Sequence, residues 1–111
     1  MKESDVIIVP MPQADGMSKN RPAIVLREMP PFRDVLICGV STQLRQATKD
    51  FDEVISPSHA DFVSSGVKEE SLIRLGFLVV VSRSKIVGSI GWISAERHKR
   101  LLQRLSEYLV Q

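Results

Sequence analysis

Arg21 stands immediately before Pro22, where a polar stretch from Asp15 to Asn20 runs into the apolar Ala23-Ile24-Val25-Leu26. Proline fixes its own φ and biases the preceding residue toward an extended backbone, so Arg21 leaves the chain in a restricted conformation. A guanidinium held that way can grip a phosphate with two parallel hydrogen bonds. The other usual carriers of chemistry are sparse. His59 and His98 are far apart, and Cys38 sits in the apolar run Val35 to Val40, so no metal-ligand spacing is present. No glycine-rich phosphate loop follows the first apolar run. The expectation is chemistry with no metal and no cofactor.

A chain of 111 residues fits one domain, 1–111, and 43% hydrophobic content is enough for an ordinary core without disulfide or metal staples. A net charge of +2 is too small to argue for nucleic acid by itself, so any electrostatic case rests on where the basic residues sit. Aromatic content of 5% argues against a surface that stacks many bases. The lone Cys38 reads as a small buried hydrophobe, which suits a reducing compartment. The run Val6 to Val9 is too short for a signal sequence or a membrane span, and the expected location is cytoplasmic.

The elements that must position Arg21 follow from pattern. Asp5 to Met11 reads as a strand covered on both faces, stopped by Pro10 and Pro12. Pro12 to Asn20 reads as a loop, with Asp15-Gly16 as its turn. Strands follow over Pro22 to Met29 and Asp34 to Thr42, forming a hairpin around Pro30-Pro31. A polar connection carrying Arg45 leads to a short strand, Phe51 to Ile55. Ser56-Pro57 predicts a helix over Pro57 to Ser64, ending at Gly66. Ser71 to Val81 reads as the longest strand, with Gly76 marking a bulge or bend, and Ile86 to Ile93 as a kinked one. Ser94 caps a last helix whose Leu101, Leu102, Leu105 and Leu109 form an apolar stripe. His98 lies on that stripe as a packing residue, and Arg97, Lys99, Arg100 and Arg104 read as a solvated face. The fold class is mainly β (α+β): a small, strongly bent sheet or partly open barrel with a short helix and a C-terminal helix packed on it.

Several of these stretches together resemble the MazF/PemK-like toxins of bacterial toxin–antitoxin systems. The matching pieces are Asp5 to Val9, Asp15-Gly16 with Lys19-Asn20-Arg21-Pro22-Ala23-Ile24-Val25-Leu26, Cys38-Gly39-Val40-Ser41-Thr42-Gln43, Ser71-Leu72-Ile73-Arg74-Leu75, and Ile86 to Ser94. The resemblance implies an SH3-like β-barrel and a homodimer that cleaves single-stranded RNA, such as mRNA, without metal. It also implies restraint by a cognate antitoxin, with DNA contact only through that antitoxin and no membrane association. It places the catalytic roles on Arg21 and Ser41, and substrate binding on Lys19, Asn20, Thr42, Gln43 and Arg45. Ser41 and Thr42 can donate to a phosphate oxygen, but neither alone is a base. The strand Gly76 to Val81 has no polar side chain until Ser82, so a base would have to come from Asp15, Asp52 or the substrate. The alternative is a toxin-like barrel that binds RNA or a protein without cutting. On that plainer reading Arg21 is a solvated surface residue and Ser41-Thr42 makes local turn hydrogen bonds.

Overall fold

The computed structural model describes residues 1–111. Six strands and two helices follow one another along the chain: β1 (Asp5–Pro12), β2 (Ser18–Met29), β3 (Asp34–Ser41), β4 (Glu53–Ile55), α1 (Phe62–Ser65), β5 (Ser71–Val81), β6 (Gly88–Trp92) and α2 (Ala95–Leu109). They form one sheet in the order β4-β5-β3-β2-β1-β6, every neighbouring pair antiparallel, curled into a half-barrel.

Strand alternation gives the sheet two apolar faces. On one face Ile7, Val9, Met11, Ala23, Val25, Val35 and Ile37 pack together inside the curl. On the other, Val6, Ile24, Leu26, Cys38, Val40, Ile73 and Leu75 pack beneath Leu101 and Leu105 of α2. β1 therefore is covered on both sides, as its unbroken apolar run requires. Each fully buried Val, Leu or Ile contributes roughly 1.5–3 kcal/mol relative to exposure.

Burial pushes the Cys38 thiol up to about 12, consistent with a packing role. His98 is half-buried, with Nε2 2.7 Å from the Leu26 carbonyl, and it too is a packing residue. Leu101 and Leu105 carry the stripe of α2, while Leu109 is 68% exposed beyond the core's edge. The Ser94 hydroxyl accepts from the Arg97 N–H at 3.1 Å and caps the helix as its type predicts.

Three expectations are corrected. The loop before β2 is shorter than its polar residues suggest. Ser18 to Arg21 is already strand, hydrogen-bonded against β1 in the register Pro12↔Ser18 to Val9↔Arg21, because a ladder uses backbone groups and accepts polar side chains. Pro57 to Asp61 is a turn, and α1 begins only at Phe62. The His59 Nδ1 takes the Ser56 N–H at 3.0 Å, which closes the segment locally instead of as a helix; Gly66 does end α1, in the left-handed region at φ 76°.

The basic run on α2 is the third. Arg97 is only 4% exposed. Its guanidinium holds Asp61 through Nε at 2.8 Å and Nη2 at 3.1 Å, and Glu53 through Nη1 at 2.8 Å. Arg100 and Arg104 reach the same Glu53 carboxylate at 2.9 and 3.0 Å. This ion network clamps α2 to β4 and to the turn before α1, and it leaves no buried side-chain polar atom unpaired. Burial opposes ionisation of Asp61, but the Arg97 guanidinium and the Ser94 N–H outweigh it and hold the carboxyl at about 2.

Candidate active-site groove

The inner face of the sheet changes character along its strands. On β2 the inward positions run Val25, Ala23, Arg21, and on β3 they run Ile37, Gly39, Ser41, so each strand leaves the core at a small residue and ends on a polar one. The β2–β3 ladder pairs Ala23 with Gly39. Continuing that register by two residues sets Arg21 across from Ser41. Gly39 also pairs with Arg74 of β5, so a second guanidinium arrives from the opposite side. The result is an open groove of about 280 Å³ at the mouth of the inner core, with Arg21, Arg74, Ser41, Thr42, Gln43 and Gln46 among its lining residues.

A bulge in β5 makes this arrangement possible. The pairing steps from Cys38↔Leu78 straight to Gly39↔Arg74, which leaves Leu75, Gly76 and Phe77 without partners on β3. Phe77 folds back over Gly39, where a Cβ would stand 3.3 Å from the ring. A side chain at 39 would push Phe77 into the groove. The Arg74 guanidinium in turn lies 5.7 Å from the centroid of the Phe77 ring, a cation–π contact that restrains it. Gly76 is thus part of the irregularity its position in the sequence announces.

The structure brings together four of the residues expected at the site: Arg21, Ser41, Thr42 and Gln43. Lys19, Asn20 and Arg45 are exposed and lie outside the lining. Lys19 shares the inward alternation of β2 but sits one step beyond Arg21, roughly 7 Å farther along the strand. The Ser41 Oγ accepts the Gln43 N–H at 3.0 Å, so its own proton is directed elsewhere and the hydroxyl serves as a donor. Neither candidate carboxylate faces the groove. Asp15 accepts the Met17 N–H at 2.9 Å inside its turn, and Asp52 accepts from Thr48 at 2.8 Å and Leu75 at 2.9 Å.

Arg74, Gln46 and Phe77 were not foreseen as site residues. Arg74 had a signal: it is the only charged residue between Ser71 and Val81. Nothing lining the groove is acidic, and two arginines give it a local charge that favours an anion. No group of three or more His, Cys, Asp or Glu side chains is gathered anywhere to hold a metal ion. No helix is long and apolar enough to cross a membrane.

A small curled β-sheet with a C-terminal helix, and with guanidiniums and hydroxyls lining one groove, defines the class: a compact, mainly β half-barrel. The family profile described as PemK-like, MazF-like toxin of type II toxin–antitoxin system matches residues 2–109. The chain belongs to that family, which assigns it a toxin's role and implies an antitoxin as its partner. Among curated proteins, none matches it.

Proposed function

We propose that this toxin is an endoribonuclease acting on single-stranded RNA in the cytoplasm, restrained when a cognate antitoxin covers the groove. The observation that carries the reading is the convergence of Arg21 and Arg74 on one groove beside the Ser41 and Thr42 hydroxyls. A phosphodiester seated there meets two guanidiniums able to neutralise its equatorial oxygens, with hydroxyl donors alongside. The ribose 2′-oxygen attacks the adjacent phosphorus, the bond to the 5′-oxygen breaks, and a 2′,3′-cyclic phosphate and a 5′-hydroxyl remain. The 2′-hydroxyl proton goes to water or hydroxide, and the leaving oxygen takes a proton from water. The lining contains no carboxylate, imidazole, thiol or amine to do either.

Cleavage in EDTA is therefore expected to persist. Its rate should rise log-linearly, about tenfold per pH unit, instead of following the bell that an acid–base pair produces. End-group analysis should find cyclic phosphate and 5′-hydroxyl. Loss of cutting in EDTA, or products ending in a 3′-hydroxyl, would overturn this chemistry. The same missing base favours a second reading, an RNA-binding module that does not cut; a footprint on RNA with no products would establish it.

Two copies are expected to associate. Of the exposed strand edges, β6 is covered by α1, whose Ser64 hydroxyl donates to the Trp92 carbonyl at 3.0 Å. β4 covers β5 only along Ser71 to Ile73, so the edge of β5 from Leu78 to Val81 is bare. Arg83, which follows it, is turned away to Glu28 at 2.7 Å. Leu78 shares a surface pocket with exposed Leu109, Val80 is exposed two residues farther along β5, and a two-fold contact between copies buries all three.

A further inference from the structure

Leu75 is fully buried, yet it has a partner neither on β3, where the bulge begins, nor on β4, whose ladder stops at Ile73. A buried N–H without an acceptor is rare and costly. Here the acceptor is a side chain from another part of the chain: Asp52 Oδ1 at 2.9 Å. The second oxygen of the same carboxylate, Oδ2, accepts the Thr48 N–H at 2.8 Å. Thr48 closes the segment that begins at Ser41 and carries Thr42, Gln43 and Gln46 along one rim of the groove. The bulge carries the opposite wall, with Arg74 before it and Phe77 at its end. Phe51, next to Asp52, backs the bulge as well, its ring 3.8 Å from where a Cβ on Gly76 would stand. One carboxylate thus joins the two walls, and it does so from outside the groove.

We propose that Asp52 is a positioning residue that fixes the distance between the Arg74–Phe77 wall and the Thr42–Gln46 rim. It neither touches the substrate nor transfers a proton. It supplies the acceptor that the bulge lacks, and so holds Arg74 in the register where it shares a phosphate with Arg21. A displacement of about 1 Å in such a group can cost on the order of 10²-fold in rate. The inference rests on the ribonuclease reading for its kinetic arm only.

The test compares Asp52→Ala with Asp52→Asn in the full chain. Asparagine keeps an oxygen for the Leu75 N–H; it gives up the Thr48 N–H, but the backbone bond from the Asp52 N–H to the Thr48 carbonyl at 3.0 Å still holds that rim. Alanine leaves the Leu75 N–H with no acceptor. For Asp52→Ala, kcat is expected to fall on the order of 10²-fold with KM nearly unchanged, because both arginines remain. Asp52→Asn is expected to recover part of that loss, since it restores the Leu75 bond and not the Thr48 one. An aspartate acting as the base gives the opposite pattern, with asparagine as inactive as alanine, and that result overturns the proposal. Amide hydrogen exchange supplies an arm independent of activity. Exchange at Leu75 is expected to accelerate in Asp52→Ala and to stay near wild type in Asp52→Asn. Unchanged exchange in Asp52→Ala sinks the proposal even if the rate falls. Should wild type cut no RNA, the ribonuclease reading fails, and the exchange measurement still decides whether Asp52 holds the bulge. Should Asp52→Ala fail to fold, the proposal stands or falls on Leu75 exchange in the asparagine variant, whose loss of protection overturns it.

Discussion

Arg21→Ala is expected to melt where wild type melts and to cut RNA about 10²–10³-fold more slowly, the usual cost of removing one donor aimed at developing charge. The two halves of that result follow from one fact. Arg21 is exposed and makes no ion pair or side-chain hydrogen bond within the chain, so the fold does not depend on it. Substitutions of that kind usually change stability by less than about 0.5 kcal/mol. Its guanidinium is therefore available to a ligand, and Pro22 limits the orientations it samples. Arg21→Lys keeps the charge and loses the fork, and should recover only part of the rate. A thermal melt and single-turnover cleavage of a defined oligonucleotide check both halves. Unimpaired cutting by folded Arg21→Ala removes Arg21 from the mechanism.

Arg97→Ala is expected to have the opposite profile, costing about 3–5 kcal/mol of stability because it strands carboxylates that burial has taken out of water. Against a total of about 5–15 kcal/mol, that is enough to unfold a marginal protein. Asp61 loses its ion partner, whereas Glu53 retains Arg100 and Arg104. The pH dependence gives the sign. In the folded protein Asp61 is held at about 2, below its ordinary 3.8. It therefore stabilises the fold above pH 3.8, and that contribution disappears as pH falls toward 2. The loss for wild type is about 2 kcal/mol across this window, and Glu53, also lowered, acts in the same direction. Arg97→Ala should become less impaired on acidification, since its stranded Asp61 is relieved by a proton. Urea midpoints measured at neutral pH and through the acid window test this. Coincident curves would show that the network carries no stability, and parallel but offset ones that Asp61 does not carry its pH dependence.

Local signals in the chain reach as far as local physics does. β-branched runs specify β1, β3 and β5, and the limits of β5 coincide with its apolar run from Ser71 to Val81. Ser94 announces α2 because capping depends on residues three apart. Arg21, Ser41, Thr42 and Gln43 are legible as a site through Arg-Pro and Ser-Thr-Gln, short motifs at the ends of strands. What escapes local reading depends on distant partners. The acids that bury Arg97 stand 36 and 44 residues before it. Arg74 becomes a groove residue only because a bulge shifts its register against β3. Asp52 looks like a free carboxylate until its acceptor role at Leu75, 23 residues away, is seen. The start of β2 escapes for another reason: its outer residues are polar, and only the backbone ladder makes them strand.

The buried thiol of Cys38, on the face of the sheet under α2, has a practical corollary. With Cys38 pushed up to about 12 and no atom of it reachable by solvent, thiolate at pH 8 is on the order of one part in ten thousand. Alkylating reagents and disulfides have nothing to attack while the protein is folded. The native chain is chemically silent toward them. A cysteine installed at exposed Thr42 would be its single reactive thiol, and a fluorophore attached there would report the filling and emptying of the groove without a competing label.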